Sequence, residues 1–152
     1  MLTKIVLLSA AVAMVVNIVS IGWSREEDNT PRGFGLTLTT DKAVYSPGEP
    51  ISITLTVFNY TQDTITFTFA SSQRYDFVVK KEGKKIWRWS EEKAFAQVMG
   101  EERIKTGEKL AYKETYRPKK ELALGTYSVA GRLACRETPV QATMYIKVAE
   151  KR

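Results

Sequence analysis

The sequence predicts an all-β fold, an antiparallel β-sandwich that begins at Phe34. Apolar and polar residues alternate from this position onward, and a period of two is the pattern of half-buried strands. The alternating runs recur every ~8–12 residues with turn-forming residues between them, which is typical of sandwich domains. No run of comparable length has a helical period, so we expect helix only as a turn or two near residues 90–94 or 118–121.

Residues 1–24 have the pattern of an export signal. Lys4 supplies a positive charge, residues 5–21 form a mostly apolar run, and acidic residues appear from Glu26 onward. This order is typical of secretory leaders, and the run is also close to the ~20 residues of a membrane span. We therefore expect an exported protein, secreted after cleavage or anchored to the outer face of the cytoplasmic membrane through this segment alone, with residues 25–33 as a linker.

The first half of the domain predicts three well-marked strands. Leucine and threonine alternate over residues 36–39, and apolar and polar residues alternate over residues 51–58 and again over residues 65–69. The turn at residues 46–49, with the sequence SPGE, has a proline that presets its own φ and a glycine, Gly48, that can take a positive φ. We expect the strand at residues 65–69 to pair antiparallel with the strand at residues 51–58.

The middle of the chain, residues 65–97, predicts a strand, a polar corner, a hairpin and a short irregular segment. The hairpin turns at Glu82-Gly83, and Trp87 and Trp89 share one face of its second strand. We interpret this aromatic pair as core, because burying two indole rings contributes several kcal/mol to a sandwich. The alternative is an exposed aromatic platform for a partner, since tryptophan and arginine are enriched at binding hot spots.

Three further strands are predicted downstream, near residues 109–116, 127–135 and 142–148. Cys135 is in phase with the apolar residues of the second of these strands, which indicates a buried, unreactive thiol.

Composition argues against several classes of function. The chain has no histidine and one cysteine, so it cannot build a Ser-His-Asp or Cys-His catalytic device alone. Its net charge of +6 is spread among many acidic residues, without the basic stripe that nucleic-acid binding requires. Carboxylates are scattered without the spacing of a metal site. We therefore predict a protein that is not an enzyme, needs no cofactor or metal and binds no nucleic acid.

Three motifs in the middle of the chain resemble those of a known family. They are F-A-S-S-Q-R-Y-D-F at residues 69–77, G-K-K-I-W-R-W-S at residues 83–90 and F-A-Q at residues 95–97. Together they resemble the BsuPI family of bacterial intracellular proteinase inhibitors, and the similarity extends over residues 36–148. The resemblance implies an immunoglobulin-like β-sandwich over residues 34–152. Through the family's name it also implies a protein partner, a serine protease of the subtilisin type.

The candidate partner-binding or motif residues belong to the polar corner and the aromatic segment that comes after it. They are Ser71, Ser72, Gln73, Tyr75, Asp76, Trp87, Arg88, Trp89, Phe95 and Gln97. The corner is interpreted either as an exposed recognition surface or as side chains that bond free backbone groups at a strand crossing. The aspartate is expected to accept backbone N–H bonds or to pair with Arg74 or Arg88.

These features support two functional hypotheses. An inhibitor must present a rigid loop to a protease cleft, and residues 90–102 and 137–140 are the candidates because both segments are irregular and bounded by strands. The alternative is a non-inhibitory structural or adhesive module of the cell envelope that binds another envelope protein through a sheet edge.

Overall fold

The computed structural model describes residues 33–137 and 140–151. Within them the chain forms ten strands and one short 3-10 helix: β1 (Phe34–Thr40), β2 (Val44–Tyr45), β3 (Ile51–Asn59), β4 (Ile65–Phe69), β5 (Tyr75–Lys81), β6 (Lys84–Arg88), η1 (Trp89–Glu92), β7 (Gly100–Ile104), β8 (Lys109–Tyr116), β9 (Gly125–Leu133) and β10 (Gln141–Val148). The predicted leader, and the linker up to residue 32, lie outside the described residues. No helix in the described part is long and apolar enough to cross a membrane.

The strands form three sheets. One has the order β1-β3-β8 and is antiparallel, and a second has the order β2-β10-β9-β5-β6, in which β2 runs parallel to β10. The third is the antiparallel pair β4-β7. The fold is therefore all-β with antiparallel and mixed sheets, which confirms the predicted class at this level.

The core lies where the two larger sheets face each other. Alternate residues of β3 are buried along its whole length, as the period of two predicts. The two sheets are in close contact at Gly131 of β9, where a Cβ atom would lie 2.8 Å from Leu38 Cδ1 of β1. The same atom would lie 3.1 Å from Phe77 Cε1 of β5, the neighbouring strand of the same sheet, so a larger residue here would have to displace both side chains.

The predicted pairing of β4 with β3 is wrong. Both sides of β3 are occupied, by β1 and β8, and β4 pairs instead with β7. The buried Asn59 turns the chain away at the end of β3, because its Nδ2 donates to the carbonyl oxygens of Asp63 at 2.7 Å and of Ile104 at 2.8 Å. On its other side β4 contacts the segment after β9, where the Arg136 N–H donates to the Thr68 carbonyl at 2.8 Å.

Three local expectations also need correction. Trp89 is not in the second strand of the hairpin, because β6 ends at Arg88 and Trp89 begins η1. Residues 90–102 are not irregular throughout, since β7 begins at Gly100. Gly48 does not take a positive φ, whereas the hairpin turn does use one, with φ of 50° at Glu82 and 76° at Gly83.

Candidate functional site

Asp76 is a buried carboxylate at the centre of the motif region. Its side chain is fully buried, and its Oδ2 accepts hydrogen bonds from Arg88 Nε at 2.7 Å and Ser90 Oγ at 2.8 Å. Its Oδ1 accepts from the backbone N–H groups of Phe77 at 3.0 Å and Ser90 at 3.2 Å, and Arg132 Nη2 lies 3.5 Å from Oδ2. A buried charge needs this degree of pairing, so Asp76 ties β5, β6, η1 and β9 together.

The polar corner bonds mainly to the backbone. The Gln73 N–H donates to Ser71 Oγ at 3.2 Å, and Gln73 Nε2 donates to the Tyr75 carbonyl at 3.0 Å. Ser72 reaches across to a distant segment, because its N–H donates to the Ala96 carbonyl and its Oγ accepts from the Ala96 N–H, both at 2.9 Å. The corner therefore holds the segment that comes after η1.

The aromatic residues of the motif form a stack between the two larger sheets. The Tyr75 ring lies between the rings of Trp89, 4.4 Å away, and Tyr112 of β8, 4.5 Å away. Trp87 stacks on Tyr116 of β8 at 4.8 Å. Both tryptophans are half-buried and pack against the core from its side, so neither is a fully buried core residue and neither forms a free platform. Both rings are only half-buried because they cover the side of the core between the edge strands β6 and β8.

The polar groups of this aromatic stack remain neutral. Burial, together with a hydrogen bond to Glu114, raises the pKa of Tyr75 well above its ordinary value, and burial also raises the pKa of Tyr112. Trp89 Nε1 and Tyr112 Oη are buried and have no hydrogen-bond partner among the described residues. The stack is thus suited to packing and offers no acid or base near neutral pH.

Cys135 is half-buried beside β4, where it forms an isolated bridge with Phe69. Burial raises the pKa of its thiol to about 11, and the nearby carboxylate of Glu137 acts in the same direction. A thiol of this kind is almost entirely protonated at neutral pH and is a poor nucleophile. Among the described residues no group of histidine, cysteine and carboxylate side chains could hold a metal ion.

The loop between η1 and β7 contains an exposed span, residues 97–99, that is held at both ends. On one side Ala96 bonds to Ser72, and on the other Gly100 pairs with Phe69. Three residues of the loop thus face two residues of the opposite segment, as in a bulge, which pushes the longer side outward. Phe95 packs on Trp89 with ring centroids 5.8 Å apart and steadies the loop before the span.

The exposed side chains of this span lie within residues 90–102, the loop that the sequence predicted as a candidate. Gln97 was named among the candidate residues, whereas Val98 and Met99 were not named individually, and each of these two apolar residues is 65% exposed. The sequence shows two adjacent apolar residues in a segment without alternation, but it does not show that they are exposed. Their exposure depends on the way the loop is held, with Ala96 bonded to Ser72.

The second candidate loop, residues 137–140, is anchored at both of its described ends. Glu137 Oε1 accepts hydrogen bonds from the backbone N–H of Thr68 at 3.0 Å and from its Oγ1 at 2.6 Å. Val140 is buried, and its carbonyl accepts from the Leu133 N–H at 2.9 Å. Residues 138–139 lie outside the described residues.

A sequence profile described as BsuPI, intracellular proteinase inhibitor, matches residues 38–138, about two thirds of the chain. The chain belongs to the BsuPI family. The motifs that suggested this family therefore identify it, and the aromatic stack, Asp76 and the polar corner are the structural setting of those motifs.

Several solved structures are similar to this BsuPI chain, and three of them are described below. Spo0M, a sporulation control protein from Bacillus subtilis, is 17% identical with a TM-score of 0.50, over 79% of this chain and 50% of its own. The β-glucosidase EmGH1 from Erythrobacter marinus is 8% identical with a TM-score of 0.46, over 77% and 15%. The DNA glycosylase AlkC from Pseudomonas fluorescens is 9% identical with a TM-score of 0.43, over 72% and 28%.

The likeness to Spo0M shows a shared fold and nothing more. This chain spans about half the length of that Spo0M chain. No curated protein sequence matches the chain significantly.

Proposed function

We propose that the chain is an exported protein-binding module that inhibits a serine protease of the subtilisin type by inserting the loop between η1 and β7 into the protease cleft. Membership of the BsuPI family supports an inhibitor. We also propose that its sheets form an immunoglobulin-like sandwich, because short, mostly antiparallel strands in three sheets enclose one core.

The observation that carries this proposal is the exposed span at residues 97–99, held by Ala96 on one side and Gly100 on the other. Ordering a flexible loop on binding costs about 0.5–1.5 kcal/mol for each immobilised side chain, in addition to the backbone cost. A loop already fixed by hydrogen bonds and ring stacking avoids much of that cost. The alternative loop at residues 137–140 is less suitable, since the side chain of Glu137 is engaged with Thr68.

Inhibition can be tested with the purified full-length chain in a nonionic detergent. The chain is mixed with subtilisin at increasing molar ratios, and hydrolysis of a small chromogenic substrate is measured. We expect activity to fall to zero near a one-to-one ratio while the chain stays intact by mass spectrometry. Unchanged protease activity, or rapid degradation of the chain, would contradict the proposal.

Export is supported by the order of charge, apolar run and acidic residues over residues 1–26. An exported inhibitor meets its protease outside the cytoplasm. The mass of the mature chain in culture medium and in membranes tests this part of the proposal. A shortened chain in the medium indicates cleavage, and a full-length chain in membranes indicates an anchor, whereas a full-length chain in the cytoplasm contradicts export.

The free edge of β1 supports the second candidate, an envelope module that binds through a sheet edge. Among the described residues β1 pairs with β3 alone, and its seven residues include no charge and no proline, the usual protection of an edge strand. A Thr37→Lys substitution places a charge on the outward face of this strand. Capture of an envelope protein by the wild type but not by this variant, with no protease inhibited by either, would favour this candidate.

A further inference from the structure

Val98 and Met99 stand apart from the other exposed apolar residues of the described chain. Five further large apolar side chains are exposed, and none of them is next to another in sequence: Val44, Tyr60, Ile86, Leu124 and Tyr145. Single exposed apolar residues are normal on protein surfaces, whereas two adjacent ones on one loop form a small apolar patch, and methionine is enriched at protein interfaces.

Arg74 fixes the end of the span next to Met99. Its guanidinium lies 4.6 Å from the centre of the Phe69 ring, donates from Nε to Glu102 at 3.1 Å and donates from Nη1 to the Ser71 carbonyl at 2.8 Å. It also fills the space above Gly100, where a Cβ atom would clash with Nη2. The backbone directly after Met99 is therefore packed in place, and Met99 is the last free residue before β7.

The two apolar side chains differ in how well they suit a deep pocket. Neighbouring residues of an extended chain point to opposite sides, so one of them can enter a pocket while the other rests on its rim. Methionine is long, unbranched and adaptable to irregular apolar sites, whereas valine is short and stiff at χ1. Residues 97–99 carry no charge, so they offer nothing to a pocket lined by an acidic side chain.

We infer that Met99 enters the specificity pocket of the inhibited protease, and that this pocket is apolar, as in proteases that cleave after large uncharged residues. Val98 and Gln97 then lie against the adjoining cleft. This inference rests on the proposed function, and it names the class of protease that the loop recognises.

The inference is tested with full-length wild type and three variants, Met99→Lys, Met99→Asp and Tyr145→Lys. The last is a matched control, because Tyr145 is 63% exposed on β10, away from the loop. Inhibition constants are measured against subtilisin, against a chymotrypsin-type protease with an apolar pocket and against trypsin, whose pocket is acidic. Circular dichroism checks that each variant keeps its fold.

We expect wild type and Tyr145→Lys to inhibit the two proteases with apolar pockets and not trypsin. Met99→Asp should weaken that inhibition by about 100-fold, since hot-spot residues contribute on this scale. Met99→Lys should weaken it as well and should gain inhibition of trypsin. If both Met99 variants inhibited as strongly as the wild type, the assignment of Met99 would be overturned and the proposed function would stand. If the wild type inhibited no protease, both the assignment and the proposed function would be overturned.

Discussion

Asp76 shows how a family motif can serve structure at the level of one residue. The order tyrosine, aspartate, phenylalanine places the carboxylate on the face of β5 opposite to the two rings, and the fold surrounds it with donors from three other elements. Removing one partner of such a pair leaves buried donors and charges without compensation, which is more costly than never having had the pair.

The Asp76→Asn substitution should therefore lower the free energy of unfolding by about 3 kcal/mol. The amide keeps the shape of the side chain but removes the charge that Arg88 and Arg132 face. Urea unfolding followed by circular dichroism measures the change, with Asp63→Asn as the matched control at an exposed position. Equal midpoints for the two variants would show that Asp76 does not hold these elements together.

At the level of elements, β4 depends on partners from both sides, and neither was evident from the sequence. β7 has the sequence GEERI, with a single buried residue, Ile104, so alternation cannot reveal it. It forms a strand through its antiparallel pairing with β4. In contrast β3 was predicted closely, since its apolar and polar residues alternate with the burial of one face.

The site shows the same limit of sequence reasoning. The motif residues were found because their types and spacing are distinctive, but their roles depend on distant partners. Trp89 leaves the strand where Asp76 binds Ser90, and Met99 is exposed where Ser72 binds Ala96. Contacts between residues this far apart in the chain cannot be derived from local patterns.

Glu137 gives the contact between β4 and the segment after β9 a dependence on pH. Partial burial raises the pKa of Glu137, but the hydrogen bonds from Thr68 outweigh this and leave the pKa below its ordinary value of 4.5. A lowered pKa means that the ionised form is favoured in the folded state, so the stabilisation is complete above pH 4.5 and is lost as the pH falls through the lowered value.

The Glu137→Gln variant should accordingly be less stable than the wild type at pH 7, and the difference should shrink toward zero near pH 3. Free energies of unfolding from urea titrations at the two pH values test this. Glu101→Gln, at an exposed position of β7, is the control and should differ little from the wild type at either pH. A difference for Glu137→Gln that does not change with pH would contradict the role of its charge.

Ser72→Ala tests whether the loop between η1 and β7 acts as a preformed element. The variant removes the Oγ that accepts from the Ala96 N–H, and it leaves the backbone bond between the two residues in place. One lost hydrogen bond of about 1 kcal/mol should weaken protease inhibition by roughly five- to tenfold and leave the fold intact. Inhibition constants of the variant are compared with those of the wild type and of Ser128→Ala on β9, which should inhibit as the wild type does. Equal constants for all three proteins would show that the bond between Ser72 Oγ and Ala96 is not needed for inhibition.

At the level of the whole molecule, Gly131 lies where side chains of both larger sheets pack closely together. A methyl group there would have to displace Leu38 and Phe77, both of which are fully buried. Close-packed interiors do not absorb such a volume without strain.

Gly131→Ala should therefore lower the free energy of unfolding by about 2 kcal/mol through overpacking. Thermal and urea unfolding measure the loss. Gly48→Ala is the matched control, because a Cβ atom at Gly48 has no neighbour within 4 Å, and its effect should stay within about 0.5 kcal/mol. A Gly131→Ala variant as stable as this control would mean that the sheets can separate without cost.

The contacts on either side of residues 97–99 would also hold together a chain that a protease cuts after Met99. One new end would stay bonded through Ala96 to Ser72, and the other would stay paired through Gly100 with Phe69. Two ends held in this way remain at a high effective concentration relative to each other. Hydrolysis would then be readily reversed by the same enzyme, and the nicked chain would still occupy the cleft.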